Sequence, residues 1–150
     1  MWTKIRAVAL SSALLVGGVS MIAGAQEGKK INDAGIYQAF GEKAGLQKIM
    51  DDFMLNLLAD ARTKPFFENA DQERVKEQLV MQICAILNGP CVYKGAAMKP
   101  IHANLNIKRE HFNALVEQLQ VAMDKHNVPF AAQNKLLAVL APMHREIVSK

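Results

Sequence analysis

The chain has 150 residues, of which 51% are hydrophobic and 21% charged, with two cysteines and a formal net charge of +4. This composition excludes a disulfide-stapled mini-protein, a collagen-like repeat and a disordered acidic tail, and the length is typical of one domain. The charge suggests a basic protein, but part of it belongs to the N-terminal segment.

Residues 1–25 have the pattern of a secretory signal peptide. A basic start with Lys4 and Arg6 precedes an uncharged run over residues 7–22, followed by small residues that end at Ala25. The run is shorter than the ~20 residues that span a bilayer, which argues against a membrane anchor. We expect cleavage after Ala25 and a periplasmic or secreted protein with no membrane span in its mature form.

The mature chain would hold 16 basic and 14 acidic residues. Its lysines and arginines are scattered rather than striped, so we expect no nucleic-acid partner. In a bacterial host, export would bring the chain into an oxidising compartment. We predict a flexible N-terminal segment over residues 26–34 and one folded domain over residues 35–150.

Helical periodicity dominates the domain. Apolar residues recur at helical spacing from Leu46 to Leu58, which predicts an amphipathic helix of about four turns that stops before Pro65. We expect Asn69 or Asp71 to cap the next helix. That second helix presents four apolar residues on one face before a strong stop signal: Val75, Leu79, Ile83 and Ile86, then Asn88-Gly89-Pro90.

We assign the left-handed position at this stop to Gly89 and the break to Pro90. Residues 91–107 predict a loop with one short helical turn near Met98–His102. A third helix runs through Phe112–Met123, and a fourth through Leu136–Ile147 with a bend at Pro142. No segment alternates like a strand. The predicted fold is therefore all-α, with four main helices and short pieces.

Most catalytic motifs are absent: there is no phosphate-binding glycine loop, no H-E-x-x-H and no C-x-x-C-H for covalent haem attachment. Cys84 and Cys91 either form a disulfide or are two small buried residues. Among the four histidines, His102 differs in context, because it projects from a short turn between a loop and a long helix. Such a histidine is placed to bind a metal cofactor axially.

Several spaced motifs resemble those of group I truncated haemoglobins, from about Gly35 to Val148. The motifs are Asp51-Asp52-Phe53, Leu58-Ala59-Asp60, Pro65-Phe66-Phe67, Gly89-Pro90, Tyr93-x-Gly95-x-x-Met98-Lys99-x-x-His102, Ile107, His111-Phe112 and Val139-Leu140-Ala141-Pro142. The resemblance implies a truncated globin, a two-over-two helical sandwich around one haem b per chain.

The resemblance also implies residue roles. His102 corresponds to the proximal histidine that ligates the iron, and Phe67 to the phenylalanine on the haem face. The remaining correspondences are proximal contacts at Tyr93 and Met98, a propionate partner at Lys99, a distal aromatic at Phe53, and a turn glycine at Gly89.

The distal side departs from the family pattern. Met54 stands where the family usually has a tyrosine, and Leu79 where a glutamine is common, with Val75 one turn earlier. Gln82 is either a residual polar contact or a solvent-facing edge residue. Without a donor, bound oxygen loses a hydrogen bond of about 0.5–1.5 kcal/mol, so we expect roughly 2- to 10-fold faster oxygen release.

We interpret the chain as an exported haem protein that binds oxygen, NO or CO. An electron-transfer or redox-sensing haem protein with Met54 as sixth ligand is an alternative, as is an NO dioxygenase; either implies a reductase or electron-transfer partner. In a third hypothesis the chain is a non-haem helical binding module, and His102 is only a core residue.

Overall fold

The structure is a computed structural model that describes residues 29–149. The predicted signal peptide and the first residues of the predicted flexible segment lie outside the described residues. Over the described range the chain forms helices and no strand. The α-helices are α1 (Ile36–Ala39), α2 (Glu42–Ala59), α3 (Lys64–Phe67), α4 (Gln72–Ile86), α5 (Met98–His102), α6 (Arg109–Lys125), α7 (Phe130–Leu140) and α8 (His144–Ile147).

The four long helices α2, α4, α6 and α7 are the four that periodicity predicts, and the short turn at Met98–His102 is confirmed as α5. The sequence analysis missed α1 and α3. Pro65 lies in the first turn of α3, where a proline loses no helical hydrogen bond because the first amides have no partner. Pro65 therefore follows the end of α2, as predicted, and also stands at the start of α3.

Helix α2 lies at the centre of the domain and packs against α4 on one side and α6 on the other. Lys125 and His126, at the end of α6, each approach the carboxylate of Asp52 to 2.7 Å. At the C-terminal end of α2, Gln118 donates to Asp60 at 2.8 Å. The two helices are therefore antiparallel, and polar contacts join them at two points along their interface.

The core fills the space between these helices. Leu46 and Leu57 of α2 are fully buried, as are Cys84 of α4, Met123 of α6 and Leu136 of α7. Burying an aliphatic side chain of this size contributes about 1.5–3 kcal/mol. The core thus joins all four long helices, independently of the segment that carries His102.

The ends of α4 match the predictions in part. Asp71 is the cap, because its Oδ1 accepts a hydrogen bond from the amide of Arg74 at 3.1 Å. The assignment of the left-handed position to Gly89 is wrong, since Asn88 takes it with φ 59°. Asparagine tolerates this conformation through local hydrogen bonding. Gly89 is small for another reason: a Cβ there would lie 2.6 Å from Cε2 of Tyr37.

A disulfide joins the last turn of α4 to the chain just beyond it. Cys84 and Cys91 are bonded, with their Cα atoms 5.8 Å apart. Cys84 belongs to the buried core, whereas Cys91 begins the irregular stretch that leads to α5. The bond therefore fastens the start of that stretch to α4.

The described part of the N-terminal segment lies against the same end of α4. The amide of Ile31 donates to the carbonyl of Ile86 at 2.7 Å, and Asp33 pairs with Lys135 of α7. Residues 29–34 are thus held by one contact to α4 and one to α7.

The C-terminal helix is broken where the sequence predicts a bend. Helix α7 ends at Leu140, a 3-10 turn covers Ala141–Met143, and α8 follows. Pro142 has no amide to donate, so the α-helical pattern cannot continue through it. None of the helices over residues 29–149 has the length and apolarity to cross a membrane.

Candidate functional site: a histidine on a short helix

His102 is the last residue of α5, a helix of five residues that follows an irregular stretch after α4. The chain then turns sharply, with Asn104 at φ 69° and Asn106 at φ 51°. Asparagine is among the few residues that adopt left-handed conformations readily. These two residues separate α5 from α6 and leave the histidine on a short, projecting element.

One hydrogen bond sets the protonation pattern of this imidazole. Nδ1 of His102 lies 2.7 Å from the carbonyl oxygen of Met98. Because a carbonyl can only accept, Nδ1 of the neutral ring carries the proton and donates it. Nε2 then keeps an unshared electron pair. This is the arrangement found in metal-binding histidines, where a second hydrogen bond orients the ring and raises its basicity.

Apolar residues stand close to His102 in the sequence. The side chain itself is half-buried, as is Met98. Ile101 and Leu105 flank it with 48% and 44% of their surfaces exposed, in contrast to the fully buried core. A flat apolar ligand bound at His102 would therefore find apolar side chains to cover it.

His102 does not belong to a cluster of metal ligands in the part of the chain that the structure describes. Within residues 29–149 no three histidine, cysteine or acidic side chains are grouped so as to hold a metal ion. A single protein ligand does not hold a bare cation, since structural metal sites take three or four. A metal at His102 must bring its other ligands with it, as the iron of a haem does. The donor set thus fits haem.

The predicted distal wall consists of residues on α2 and α4. Met54 is 3% exposed, yet it does not belong to the main core cluster, whereas Phe53 does. On α4, Val75 and Leu79 are half-buried. The predicted distal residues are therefore apolar and at least half-buried, and Phe53 also packs into the core.

Gln82 is the polar residue that the sequence placed beside this wall. Its side chain is half-buried, and Nε2 lies 3.8 Å from the sulfur of Met143 in the 3-10 turn. The contact links α4 to the turn that precedes α8. The amide is thus engaged with a thioether in this structure rather than exposed to solvent.

The other predicted contacts are spread around α5. Phe67 is half-buried against the main core. Tyr93 folds over Gly95, leaving no space for a side chain there, and partial burial raises the pKa of its phenol. Lys99 is exposed on the same helix as His102. Its ammonium is free to meet an anionic group at the edge of the site.

Two contacts of this region escaped the sequence analysis, although Ile107 itself belongs to the family motifs. Ile107, buried between α5 and α6, accepts a hydrogen bond through its carbonyl from the amide of Ser149 at 2.8 Å. Helix α8 packs against α5, so this contact and α8 hold the helix that carries the histidine. No local pattern could show either contact, because Ser149 and α8 are distant from Ile107 and α5 in the sequence.

Two solvent-open cavities occur elsewhere on the domain. One of about 480 Å³ lies between residues 33–42 and the end of α4. The other, of about 590 Å³, lies between α2 and α4 and is lined mainly by polar and charged side chains. Neither contains His102.

Comparison with known proteins agrees with this geometry. The family described as bacterial-like globin matches residues 35–149. The chain is similar to the group 1 truncated haemoglobin of Mycolicibacterium paratuberculosis, with 31% identity over 121 residues, covering 81% of this chain and 89% of the relative. It is also 29% identical to that of Tetrahymena pyriformis over 115 residues, which is 77% of this chain and 95% of the relative.

The solved structure of the Tetrahymena pyriformis truncated haemoglobin in its Fe(III) form matches with a TM-score of 0.72, covering 77% of this chain and 98% of that one. The predicted fold is thereby confirmed as the truncated two-over-two globin fold. The predicted cofactor is confirmed as well, since these relatives are haem proteins with one haem per chain.

Proposed function

Because this chain belongs to the bacterial-like globin family, a family of haem proteins that bind diatomic gases, we propose that it is an exported gas-binding haem protein in which His102 ligates the iron. The observation that carries the proposal is the 2.7 Å contact from Nδ1 to the Met98 carbonyl. In the neutral ring this contact assigns the proton to Nδ1, so that Nε2 is the nitrogen that can bind a metal.

Haem, when bound, supplies the iron position at which a diatomic gas is held. The chain's own residues then decide how tightly the gas is held. Met98 orients the imidazole through its carbonyl, and the exposed apolar side chains of Ile101 and Leu105, close to His102 in the sequence, would pack against the bound cofactor. Lys99 is exposed on α5 and offers a cation to a propionate.

The distal residues offer no donor to a bound gas. Met54, Val75 and Leu79 are apolar, and the Gln82 amide contacts Met143. Bound oxygen carries partial negative charge and gains from a donor, whereas CO depends on one far less. We therefore expect this protein to release oxygen quickly and to bind CO well.

A matched pair of variants tests the ligand assignment. His102→Gly should lose the Soret band at one haem per chain, and added imidazole should restore it by filling the space left by the side chain. His126→Gly, which removes a half-buried histidine bound to Asp52, should keep its haem. A haem band that persists in His102→Gly without imidazole contradicts the assignment.

The absorption spectrum separates this proposal from its alternative. Met54 is buried outside the main core, and thioethers are ligands of haem iron in electron-transfer proteins. A high-spin five-coordinate ferrous spectrum supports gas binding. A split low-spin spectrum that disappears in Met54→Ala supports internal ligation and electron transfer instead.

Export has separate support. The pattern of residues 1–25 is that of a signal peptide, and disulfides such as Cys84–Cys91 persist in oxidising compartments. Protein made in a bacterial host should begin at Gln26 in the periplasmic fraction, and its mass should be lower by two hydrogens than that of the reduced chain. An intact N-terminus with two free thiols in the cytoplasm contradicts export.

A further inference from the structure

The hydrogen bonds of three histidine rings differ in what they require of the imidazole. His102 donates from Nδ1 to the carbonyl of Met98, and Nε2 of His126 lies 2.7 Å from the carboxylate of Asp52. Carbonyl and ionised carboxylate oxygens accept, so both bonds persist when the ring takes up a proton. At His111 the ring itself is the acceptor, and a protonated ring cannot accept.

His111 stands in the first turn of α6, where its Nδ1 accepts a hydrogen bond from the amide of Lys108 at 3.1 Å. Lys108 is the N-cap residue of this helix. A side chain at the third helical position that accepts from the N-cap amide belongs to a capping box, in which glutamate or glutamine usually has this role. Imidazole can replace them only while Nδ1 is unprotonated. The start of α6 is therefore capped by the neutral form of His111.

The surroundings of this ring give a protonated form little compensation. Phe66 of α3 packs against it, with the ring centroids 4.9 Å apart. Oε1 of Glu110 lies 3.6 Å from Nε2, but this side chain is 66% exposed, so water screens its attraction for a cationic ring. The positive end of the helix dipole disfavours a cation in the first turn of α6. The other charged or titratable groups on the elements around the ring are Lys64 and Glu68 beside Phe66, Lys99 and His102 of α5, Lys108 and Arg109 at the start of α6, and His144, Arg145 and Glu146 of α8.

The capped turn follows directly on the connection from His102 to α6. Residues 103–106 of this connection are exposed, and Asn104 and Asn106 are left-handed. The buried Ile107 comes next, immediately before the N-cap. A stretch with few buried apolar contacts opens at low free energy. Loss of the cap should therefore loosen the connection that positions the histidine.

We propose that His111 is a pH-sensitive cap of α6, which opens in acid and thereby weakens the retention of haem at His102. A proton from solvent binds to Nδ1, the hydrogen bond from the Lys108 amide breaks, and the first turn of α6 loosens together with the connection to α5. The effect on haem rests on the proposed function, whereas the opening of the cap does not depend on it.

Haem transfer from the ferric protein to an excess of an acceptor globin measures the effect on haem. The rates are compared at about pH 7.5 and about pH 6, on either side of the range in which an ordinary imidazole takes up a proton. The unmodified protein should lose haem roughly 3- to 10-fold faster at the lower pH, the change expected when a helix loses its cap.

Three variants separate the cap from the other histidines. His111→Gln keeps an acceptor at every pH, so its rate should change less than about 2-fold. His111→Ala has no acceptor and should lose haem quickly at both pH values. His126→Gln, the matched control, should keep the pH response of the unmodified protein, because this ring is not an acceptor. Acceleration in His111→Gln equal to that of the unmodified protein, or no acceleration in the unmodified protein, overturns the proposal.

Nuclear magnetic resonance of the ferrous CO complex gives a direct readout of the cap. The amide proton of Lys108 should shift along the same titration curve as the ring of His111 and should lose its protection from solvent exchange at the acid end. An amide that does not follow the ring overturns the proposal, and so does an amide that follows it without faster haem loss. A protein without a Soret band contradicts the proposed function separately, and the same titration of the protein as purified then decides whether the cap opens.

Discussion

The α2–α6 pair and the segment over residues 87–107 are held in opposite ways. Leu46 and Leu57 of α2 are 0% exposed, whereas Ile101 and Leu105 of the segment are 48% and 44% exposed. Ion pairs join α2 and the residues just after it to α6, whereas Lys94 and Lys99 of the segment make no ion pair among the described residues. The fold therefore depends mainly on the first region, and the proposed ligand binding on the second.

Three identified contacts fasten the segment to the rest of the domain. They are the Cys84–Cys91 disulfide, the packing of α5 on α8, and the Ser149 amide bonded to the Ile107 carbonyl. A region with few buried apolar contacts opens at lower free energy than the core. Substitutions should therefore separate stability from haem binding.

The largest expected effect on stability is in the core. Leu57→Ala should lower the free energy of unfolding by about 3–5 kcal/mol, because it leaves a cavity in a fully packed site. Leu105→Ala, the matched substitution in the segment, should cost less than about 0.5 kcal/mol. Urea unfolding of the haem-free chain, followed by circular dichroism, measures both. Equal losses would remove the distinction between the two regions.

The disulfide should have the next largest effect. It closes a short loop between α4 and the segment, and a crosslink of this length stabilises by about 2–3 kcal/mol through the unfolded chain. A dithiol reductant should lower the urea midpoint accordingly and speed haem transfer to an acceptor globin. Cys84→Ala/Cys91→Ala should not respond to the reductant, whereas an unmodified protein that does not respond would show that the bond has no such role.

The same contrast explains how much the sequence could predict. Periodicity locates α2, α4, α6 and α7 because burial repeats with the helical turn, and Pro142 locates the break after α7 because proline has no amide. His102 is placed correctly on a short turn. Each of these features depends on local chemistry that the sequence displays directly.

The errors and omissions concern contacts between distant residues. Gly89 is a glycine because Tyr37 lies against it, and no local pattern shows that neighbour, so Asn88 was overlooked as the left-handed residue. The disulfide remained open because two cysteines seven residues apart are compatible with bonded and free states. The contact of Gln82 with Met143 depends on how α4 meets a turn 61 residues away.

A substitution in the predicted distal wall should have a smaller effect, which concerns the dissociation of bound oxygen. Met54→Gln should place a donor in the apolar site and slow oxygen dissociation about 2- to 10-fold, since a hydrogen bond contributes about 0.5–1.5 kcal/mol. CO dissociation should change less. Leu55→Gln is the matched control, because Leu55 is the next residue and is 64% exposed. Stopped-flow replacement of oxygen by CO measures the rate, and an unchanged rate in Met54→Gln would place this side chain away from the gas.

The smallest expected effect is the pH dependence of the paired region. Arg62 donates to Asp60 and holds the pKa of that carboxyl well below its usual range. A carboxyl with a lowered folded-state pKa stabilises the protein above its unfolded pKa, ~3.9, and this contribution is lost as the pH falls further. Asp60→Asn should therefore lower stability at pH 7 and flatten its decline below about pH 4.

Glu77→Gln, at an exposed carboxyl of α4, is the matched control and should leave that decline unchanged. Residues 87–107 contain no carboxyl group, so any carboxylate contribution to acid sensitivity must arise outside the segment that carries His102. Stability curves of the two variants between pH 2 and pH 7 measure the difference. A decline that is equally steep in Asp60→Asn would mean that the ion pairs of α2 and α6 do not distinguish this region from the segment, and that the contrast between them rests on apolar burial alone.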